Sequence, residues 1–113
     1  MNLSVEDRKI GYVDLTKGEV KVKPIPMEIR RLYIGGRSIN MYLLYNHIPP
    51  GADPMGPDNV VVAASGLLGG ICGSSGRCNW SCKSPETFIV GDGNHGGYFA
   101  SEMRFAGFDH ILI

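Results

Sequence analysis

Two glycine-rich stretches, residues 65–77 and 91–99, each follow an apolar run in the second half of the chain. Glycine at this density costs backbone entropy, and proteins use it where the main chain is left-handed or comes close to a ligand. Arg77 closes the first stretch and Asn94 lies in the second, and both side chains can donate hydrogen bonds to an anion. The two stretches therefore predict two turns that carry a candidate anion site.

The chain has 113 residues, of which 43% are hydrophobic. This is enough for one modest core, so we expect residues 1–113 to form a single domain. Eleven basic and eleven acidic residues cancel to a net charge of zero, and neither sign forms a long block. This balance argues against nucleic acid or an acidic membrane as the main partner, so any anion must be bound locally.

No apolar run approaches the roughly 20 residues that span a bilayer, and the first residues lack the apolar core of a signal peptide. The chain has three cysteines, Cys72, Cys78 and Cys82, which lie close together in the sequence. An odd, clustered set of cysteines differs from the disulfide framework of a secreted protein. Both observations predict a cytoplasmic protein. The cysteine spacing also differs from common zinc and iron–sulfur patterns, so we interpret the thiols as small packing residues.

Hydrophobic periodicity and turn residues predict short strands and helices along the chain. The expected elements are a hairpin of 9–15 and 19–23, helices at 27–34 and from a Ser38 cap to about His47, strands at 60–64, 78–83 and 87–90, a helix at about 96–105 closed by Gly107, and a strand at 110–113. They predict an α+β fold, a largely antiparallel β-sheet with two or three short helices. Because the final strand has no following turn or cap, we expect a truncated domain. If the chain is instead an inactive fragment, its last strand is expected to be an aggregation-prone edge.

The second glycine-rich stretch is predicted to lead into a helix that begins at Gly96 or Gly97. Unpaired backbone N–H groups and the helix dipole would stabilise a phosphate there. Asn94 would cap that helix or ligate a metal through its carbonyl oxygen; alternatively, Asn94 is only a cap and the glycines only allow tight packing. His95 has a side chain suited to proton transfer, but without a carboxylate partner in the sequence we expect a structural role for it.

Arg77 follows Gly76 at the entry to a predicted strand. Its planar guanidinium can bind a phosphate or ring heteroatoms through two parallel hydrogen bonds, and the alternative is an ordinary surface ion pair. Residues 93–97 match neither the dinucleotide-binding glycine pattern nor the Walker pattern, so those sites are not predicted. In the following helix, Glu102 and Arg104 are expected to be solvated.

Several short segments occur in an order and at intervals that resemble a known family. They are residues 14–18 (DLTKG), 33–37 (YIGGR), 49–54 (PPGADP), 74–79 (SSGRCN), 83–85 (KSP) and 94–99 (NHGGYF) with 104–109 (RFAGFD). Together they resemble the first half of the amino-terminal, tungstopterin-binding domain of the aldehyde ferredoxin oxidoreductase family. The resemblance runs from about Gly11 to the last residue.

The resemblance implies a β-sandwich-like base beneath a tungsten or molybdenum bis-pterin cofactor. Family members oxidise an aldehyde with water to a carboxylate and pass electrons through a 4Fe-4S cluster to ferredoxin. By resemblance, Arg77 contacts the pterin, while Asn94 and Gly96 belong to the loop that meets the pterin phosphates and their bridging magnesium ion. His95 and Gly97 lie in that same candidate cofactor-binding loop, and Asn94 is the expected magnesium-binding residue.

The family's cluster ligands and catalytic residues lie outside these 113 residues, so no catalytic residue is assigned. Cys78 and Cys82 are not expected to bind the cluster, and Asp92 and His95 depart from the familiar loop, which leaves the substrate open. We expect part of an oxidoreductase that works with its remaining domains. The alternative is a separate, non-catalytic cofactor-binding subunit, or an inactive fragment, that needs a cluster-carrying partner.

Overall fold

A computed structural model describes residues 8–113 of the chain, so the expectation based on its first residues lies outside the described part. The elements are β1 (Lys9–Asp14), β2 (Glu19–Pro24), α1 (Met27–Tyr33), α2 (Arg37–His47), β3 (Val62–Ser65), β4 (Cys78–Lys83), β5 (Val90–His95), α3 (Phe99–Phe105) and β6 (His110–Leu112). The predicted α+β fold, with a largely antiparallel sheet and three short helices, is confirmed. None of the described helices is long and apolar enough to cross a membrane.

The six strands form one sheet in the order β2-β1-β6-β3-β4-β5. β1 and β6 pair in parallel, with Ile10 beside His110, and the other neighbouring strands of the described sheet are antiparallel. The last strand, β6, therefore lies inside the sheet, where β1 and β3 bond its backbone on both sides. The expectation of an exposed last strand is wrong, because β6 is the element that joins the amino-terminal hairpin to the other strands.

Helix α2 covers one face of the sheet and forms the larger core with it, and α1 packs against this core through the half-buried Ile29. The buried residues of α2 are Ile39, Asn40, Leu43 and Leu44, which share one side of the helix. The rest of this buried cluster consists of Ile10, Ile25, Val62 and Leu112. Because burial of each such aliphatic side chain contributes about 1.5–3 kcal/mol, this cluster is a main source of stability.

Helix α3 covers the opposite face with a smaller cluster of Ala63, Cys78, Ala100 and Met103. Val62 and Ala63 are neighbours in β3 but belong to different clusters, because successive strand side chains point to opposite faces. The small side chains of Ala63 and Ala100 bring the helix close to the sheet. This face is therefore apolar and tightly packed.

The cysteines are all free and differ in burial. Cys72 is exposed, Cys82 is half-buried, and Cys78 is fully enclosed beneath α3. The packing role predicted for them is found at Cys78. Within residues 8–113, no three His, Cys, Asp or Glu side chains come together as a possible metal site.

The end of α3 follows the prediction from Gly107, whose φ is 99°. The Gly107 N–H donates to the Arg104 carbonyl at 2.9 Å, and the Phe108 N–H donates to the Met103 carbonyl at 3.0 Å. These two hydrogen bonds make a Schellman motif, which needs a left-handed residue after the helix. Glycine is favoured at this position because it has no Cβ to clash.

The strand predicted at 87–90 and the glycine-rich turn predicted after it both lie later in the chain than expected. The Phe88 N–H donates to the Ser84 carbonyl at 2.9 Å, so residues 85–89 form a turn and the strand begins at Val90. Strand β5 then continues through residues 91–95 and pairs antiparallel with β4. Val90 lies beside Lys83, Asn94 beside Asn79 and His95 beside Cys78. Pairing with a neighbouring strand outweighs the weak intrinsic strand preference of glycine here.

Two predicted helix starts are also wrong. Helix α2 begins at Arg37 after Gly36, with no side-chain cap, rather than at Ser38. Helix α3 begins at Phe99 after Tyr98, rather than at Gly96 or Gly97. Since β5 extends to His95, the two glycines form the link between strand and helix instead of the first helical turn.

Candidate functional site

Both glycine-rich stretches meet at one end of the sheet. Ser65 at the end of β3, Cys78 at the start of β4 and His95 at the end of β5 are aligned in the strand register. The segments that leave these strands, 66–77 and 96–98, are therefore neighbours. A Cβ built on Gly76 would lie 3.0 Å from the Gly97 carbonyl oxygen, so the two backbones lie close together and a side chain at Gly76 would fit only after a small shift.

Arg77 lines an open depression of about 440 Å³ beside these segments. The other lining residues combine apolar side chains, hydroxyls and glycine backbone: Ile34, Gly66, Leu67, Leu68, Gly69, Ser74 and Ser75. The Arg77 side chain is exposed, and no ion pair or hydrogen bond engages it among residues 8–113. The alternative of a surface ion pair is therefore not found among the described residues, and a ligand contact of the guanidinium stays a prediction.

Ile34, at the rim of the depression, has an unusual backbone with φ 63° and ψ −67°. The Gly35 N–H donates to the Tyr33 carbonyl at 2.7 Å, so Ile34 is the middle residue of a tight γ-turn of the strained, rare kind. Strain of this kind costs roughly 1–3 kcal/mol and persists where neighbouring contacts fix it. The Ile34 side chain is 61% exposed, so the turn presents an apolar surface toward the depression.

Asn94 lies in β5 on the α2 face of the sheet, outside the lining of the depression. Asn79 Nδ2 donates to Asp92 Oδ1 and, at 3.1 Å, to Asn94 Oδ1. Because a carboxylate only accepts hydrogen bonds, Asp92 fixes the orientation of the Asn79 amide, and Asn94 must then turn its oxygen toward Asn79. The Asn94 NH2 group is therefore directed to other partners, and since α3 begins at Phe99, the capping role considered for Asn94 is wrong.

His95 lies on the opposite face from Asn94. Its ring stacks on Trp80 with centroids 6.3 Å apart and lies 5.9 Å from the ring of Phe99. Its Nδ1 donates to the Gly96 carbonyl at 2.9 Å. The structure thus separates His95 from Asn94, and its ring contacts agree with the structural role expected for it.

Residues 91–96 spell G-x-G-x-x-G, a pattern that the sequence reasoning on 93–97 missed. In dinucleotide-binding proteins this pattern forms the turn between a parallel strand and a helix. Here its first five residues belong to β5, which pairs antiparallel with β4. The structural context of that fingerprint is absent from the described residues, so the pattern carries no nucleotide site.

A chain of buried polar side chains supports β5 and was not predicted. Asn40 Nδ2 donates to Asn79 Oδ1 at 3.0 Å and to the Val62 carbonyl at 3.3 Å. Since the Asn40 amide nitrogen is the donor, its oxygen accepts from His110 Nδ1 at 2.9 Å. Burial lowers the pKa of His110 to about 3, with a further contribution from the Arg8 charge, so this ring is neutral. The signal in the sequence is polar residues at core-facing positions of α2 and β4.

A buried ionic cluster lies at the same end of the sheet. Asp109 Oδ1 accepts a hydrogen bond from Arg8 Nε and forms an ion pair with Arg104 Nη1, both at 3.0 Å. Arg104 Nη1 also lies 3.0 Å from the Gly66 carbonyl and 2.8 Å from the Leu67 carbonyl. The expectation that Arg104 is solvated is therefore wrong, because it ties α3 to the first glycine-rich stretch.

Residues 10–113 match the family model described as "Aldehyde ferredoxin oxidoreductase, N-terminal domain". The tungsten-containing aldehyde ferredoxin oxidoreductase of Thermococcus kodakarensis is 40% identical over 102 residues, which are 89% of this chain and 17% of that protein. The protein of the same name from Pyrococcus furiosus is 37% identical over the same shares. The chain thus spans about one sixth of these relatives.

A solved structure is also similar, the active site complex BamBC of benzoyl coenzyme A reductase with 1,5-dienoyl-CoA. It superposes with a TM-score of 0.91 at 33% identity, over 96% of this chain and 17% of that one. A more distant relative, 28% identical over 108 residues, is named as the WOR-like subunit of an aliphatic sulfonate oxidoreductase from Pyrococcus furiosus. The sequence identities and the match to the domain model agree, and the chain belongs to the aldehyde ferredoxin oxidoreductase family, within its amino-terminal domain.

Proposed function

We propose that this chain is part of the base that holds a tungsten- or molybdenum-pterin cofactor in an oxidoreductase acting on aldehyde or oxo groups. The observation that carries the proposal is the junction of the two glycine-rich stretches beside an unpaired, exposed Arg77. Membership in the family supplies the cofactor class. The local geometry supplies the reason why these residues fit it.

The depression suits a planar heterocycle with an anionic tail. Ile34, Leu67 and Leu68 offer apolar surface, and Ser74 and Ser75 offer hydroxyl groups beside them. Ligand sites commonly combine an apolar lining with a few directed polar groups. A pterin ring bearing a phosphate has the same combination of properties, so the residues present fit the proposed group.

Within this proposal, Arg77 binds a phosphate or ring heteroatoms through its guanidinium fork. Gly96 and Gly97 offer backbone N–H groups from the link between β5 and α3. Asn94 donates from its NH2 group, because its oxygen already accepts from Asn79. This arrangement favours contact of the Asn94 side chain with a phosphate oxygen over contact with magnesium, and a magnesium ion at Asn94 stays a prediction.

When bound, the metal-pterin group would supply the two-electron oxidation of an aldehyde to a carboxylate, with water as the oxygen source. The residues of this chain hold and orient that group and move no proton themselves. We further propose that remaining domains or a partner subunit contribute the 4Fe-4S cluster and deliver electrons to ferredoxin, in the cytoplasm. The isolated 113 residues are not expected to turn over an aldehyde.

A second candidate function is a cofactor-binding part of a multisubunit oxidoreductase with another type of substrate. The close superposition on the benzoyl coenzyme A reductase complex favours it, because the same fold serves there in an active-site complex. The two candidates share the cofactor and differ in substrate. Assays of the intact protein with an aldehyde series and with aromatic acyl-CoA compounds, using a dye as electron acceptor or donor, separate them.

The cofactor proposal is tested by Arg77→Ala and Asn94→Ala in the intact protein. A hydrogen bond to a charged group is worth about 1.5–3 kcal/mol, so each variant should lose about tenfold or more in cofactor affinity. Tungsten and molybdenum are measured by elemental analysis and the pterin by fluorescence after its release. Arg77→Lys, which keeps the charge but not the fork, should lose less than Arg77→Ala.

Matched controls remove a positive charge and a side-chain amide far from the site. Lys21→Ala removes a charge from β2, at the opposite edge of the sheet from β5. Asn46→Ala removes an exposed amide near the end of α2, where Asn46 Nδ2 donates only to the Tyr42 carbonyl among the described contacts. Normal metal and pterin content in both site variants would reject the proposal, and equal losses in the controls would do so as well.

A further inference from the structure

Asp109 is the centre of a buried cluster that reaches both walls of the Arg77 depression. Its exposed fraction is 4%, that of Arg8 is 2%, and the Arg104 side chain is 15% exposed. One carboxylate oxygen, Oδ1, accepts a hydrogen bond from Arg8 Nε and forms an ion pair with Arg104 Nη1, both at 3.0 Å. The two arginines then extend in different directions, each to main-chain carbonyls of a separate segment.

The first arm of the cluster runs through Arg8 to the α1–α2 connection. Arg8 Nη1 donates to the Ile34 carbonyl at 2.8 Å, which lies in the strained γ-turn described above. A Cβ built on Gly35 would lie 2.7 Å from Arg8 Nη2, so the guanidinium is pressed against this turn. The contact fixes a backbone conformation that isoleucine rarely adopts, and with it the position of the Ile34 side chain at the rim.

The second arm runs through Arg104 to the first glycine-rich stretch. Arg104 Nη1 contacts the carbonyls of Gly66 and Leu67, which form the other wall of the depression. The Gly66 carbonyl also accepts from the Gly69 N–H at 3.0 Å, so the arm holds the start of a tight turn. In addition, the Ser65 N–H donates to the Asp109 carbonyl at 2.9 Å, which anchors the end of β3 beside the cluster.

We infer that Asp109 is a positioning residue that sets the spacing between the two walls of the depression. A single carboxylate oxygen lies against two guanidinium groups, as hydrogen-bond acceptor for Arg8 and as ion-pair partner for Arg104, and each guanidinium donates to a different wall. Removing the negative charge leaves two buried cations facing each other, so both walls lose their support together. Charge-assisted hydrogen bonds hold geometry more firmly than neutral ones, which suits a site that must be preformed for a rigid ligand.

The identity of the ligand held between these walls rests on the proposed function, but the coupling of the walls does not. Loss of the Arg104 arm alone should loosen only the Gly66–Leu67 wall, since Arg8 and Asp109 stay paired. Loss of Asp109 should loosen both walls. This difference distinguishes two cases. Either Asp109 is a hub, meaning one residue that holds both walls, or the two walls are held by unrelated contacts.

The test is amide hydrogen exchange of the intact, cofactor-free protein, followed by mass spectrometry on peptides that contain Gly35, Gly69 or β4. Asp109→Asn keeps the size of the side chain and should raise exchange about tenfold or more at both Gly35 and Gly69, with β4 little changed. Arg104→Gln should raise exchange at Gly69 only. Because Arg104 is the most exposed member of the cluster, this variant still reports if Asp109→Asn does not fold.

The inference is overturned if Asp109→Asn speeds exchange equally in all peptides or in one wall alone, or if Arg104→Gln loosens both walls. Asp58→Asn, at an exposed loop position, is the matched control and should change none of the peptides. Metal and pterin content of the same variants separates the two proposals. Loosened walls with normal cofactor content support the hub and contradict the proposed function, whereas rigid walls contradict the hub whatever the cofactor content.

Discussion

The two faces of the sheet are built in different ways. Beneath α3, the face is apolar and made from small or flexible side chains such as Ala63 and Met103. Beneath α2, aliphatic residues share the interior with a run of hydrogen-bonded polar side chains that begins at His110 and reaches β5 through Asn40 and Asn79. Apolar packing stabilises without direction, whereas buried hydrogen bonds fix one arrangement and are costly when broken.

The polar side chains on the α2 face explain how β5, an edge strand rich in glycine, keeps its position. Residues 90–95 contribute few side chains to either core, and most of them are exposed. Asn79 holds the strand through Asp92 and Asn94, and Arg37 pairs with Asp92 at 2.8 Å from the start of α2. The α3 face thus contributes mainly stability, and the α2 face additionally determines where β5 and its candidate ligand residue lie.

Met103→Ala should have the largest effect and should act on the whole fold. Met103 is 5% exposed within the α3 cluster, and truncation of such a side chain costs about 2–5 kcal/mol. Urea unfolding should show a lower midpoint, with hydrogen exchange raised in all strands alike. Met27→Ala, at a side chain 47% exposed, is the control; if both variants lose the same stability, the α3 face is not the packed core described here.

Asn40→Ala should have the next effect and should act locally on β5. It leaves His110 Nδ1 and Asn79 Oδ1 without their Asn40 partner, at about 1–3 kcal/mol for each group that stays buried and unpaired. We expect exchange of β4 and β5 amides to rise more than that of the β1–β2 hairpin. A uniform rise in all strands would remove the distinction between the two faces.

The pH dependence of stability sharpens the same comparison. Burial, helped by the Arg8 charge, lowers the pKa of His110 from 6.5 to about 3, so the folded state keeps it neutral while the unfolded chain binds a proton below 6.5. The free energy of unfolding contributed by His110 is therefore complete above pH 6.5 and falls as the pH drops toward 3. The loss should reach about 2 kcal/mol at pH 5.

His110→Asn isolates this contribution, because the Asn side chain can still donate to Asn40 Oδ1 but does not titrate. Chemical unfolding at several pH values between 8 and about 4.5 should give a flatter profile for the variant than for the parent protein. An unchanged slope would show that His110 is not the group responsible. Replacement of the exposed His47 by Asn serves as the matched control for the loss of a histidine.

Much of the fold could be predicted because its signals are local. The strand at 78–83, the buried run that becomes β3 and the helix end at Gly107 each follow from a few adjacent residues. β5 could not be predicted in the same way, because glycine has weak strand preference and the strand exists through pairing with β4. The position of β6 beside β1 depends on residues 100 positions apart in the chain, as Ile10 and His110 are.

Some features of the candidate site could likewise be predicted from the sequence, and others could not. The two glycine-rich stretches could be recognised as one candidate site from composition, and the structure brings them together. The sequence left Arg77 open between a ligand contact and a surface ion pair. The Asp109 cluster joins Asp109 to Arg8 across 101 positions, and no local pattern marks such a pair. Arg104 was expected to be solvated, but its long side chain reaches the carbonyls of Gly66 and Leu67 in a loop 38 and 37 positions away in the chain.

The central position of β6 has a consequence for synthesis on the ribosome. The β1–β2 hairpin is made first, and the β3–β4–β5 meander follows, yet no described strand pairing joins these two parts without β6. The sheet becomes continuous only when residues 110–112 have left the exit tunnel and inserted between β1 and β3. Nascent chains stalled before that point should carry two separate pieces of sheet with open edges, which are the species that chaperones recognise.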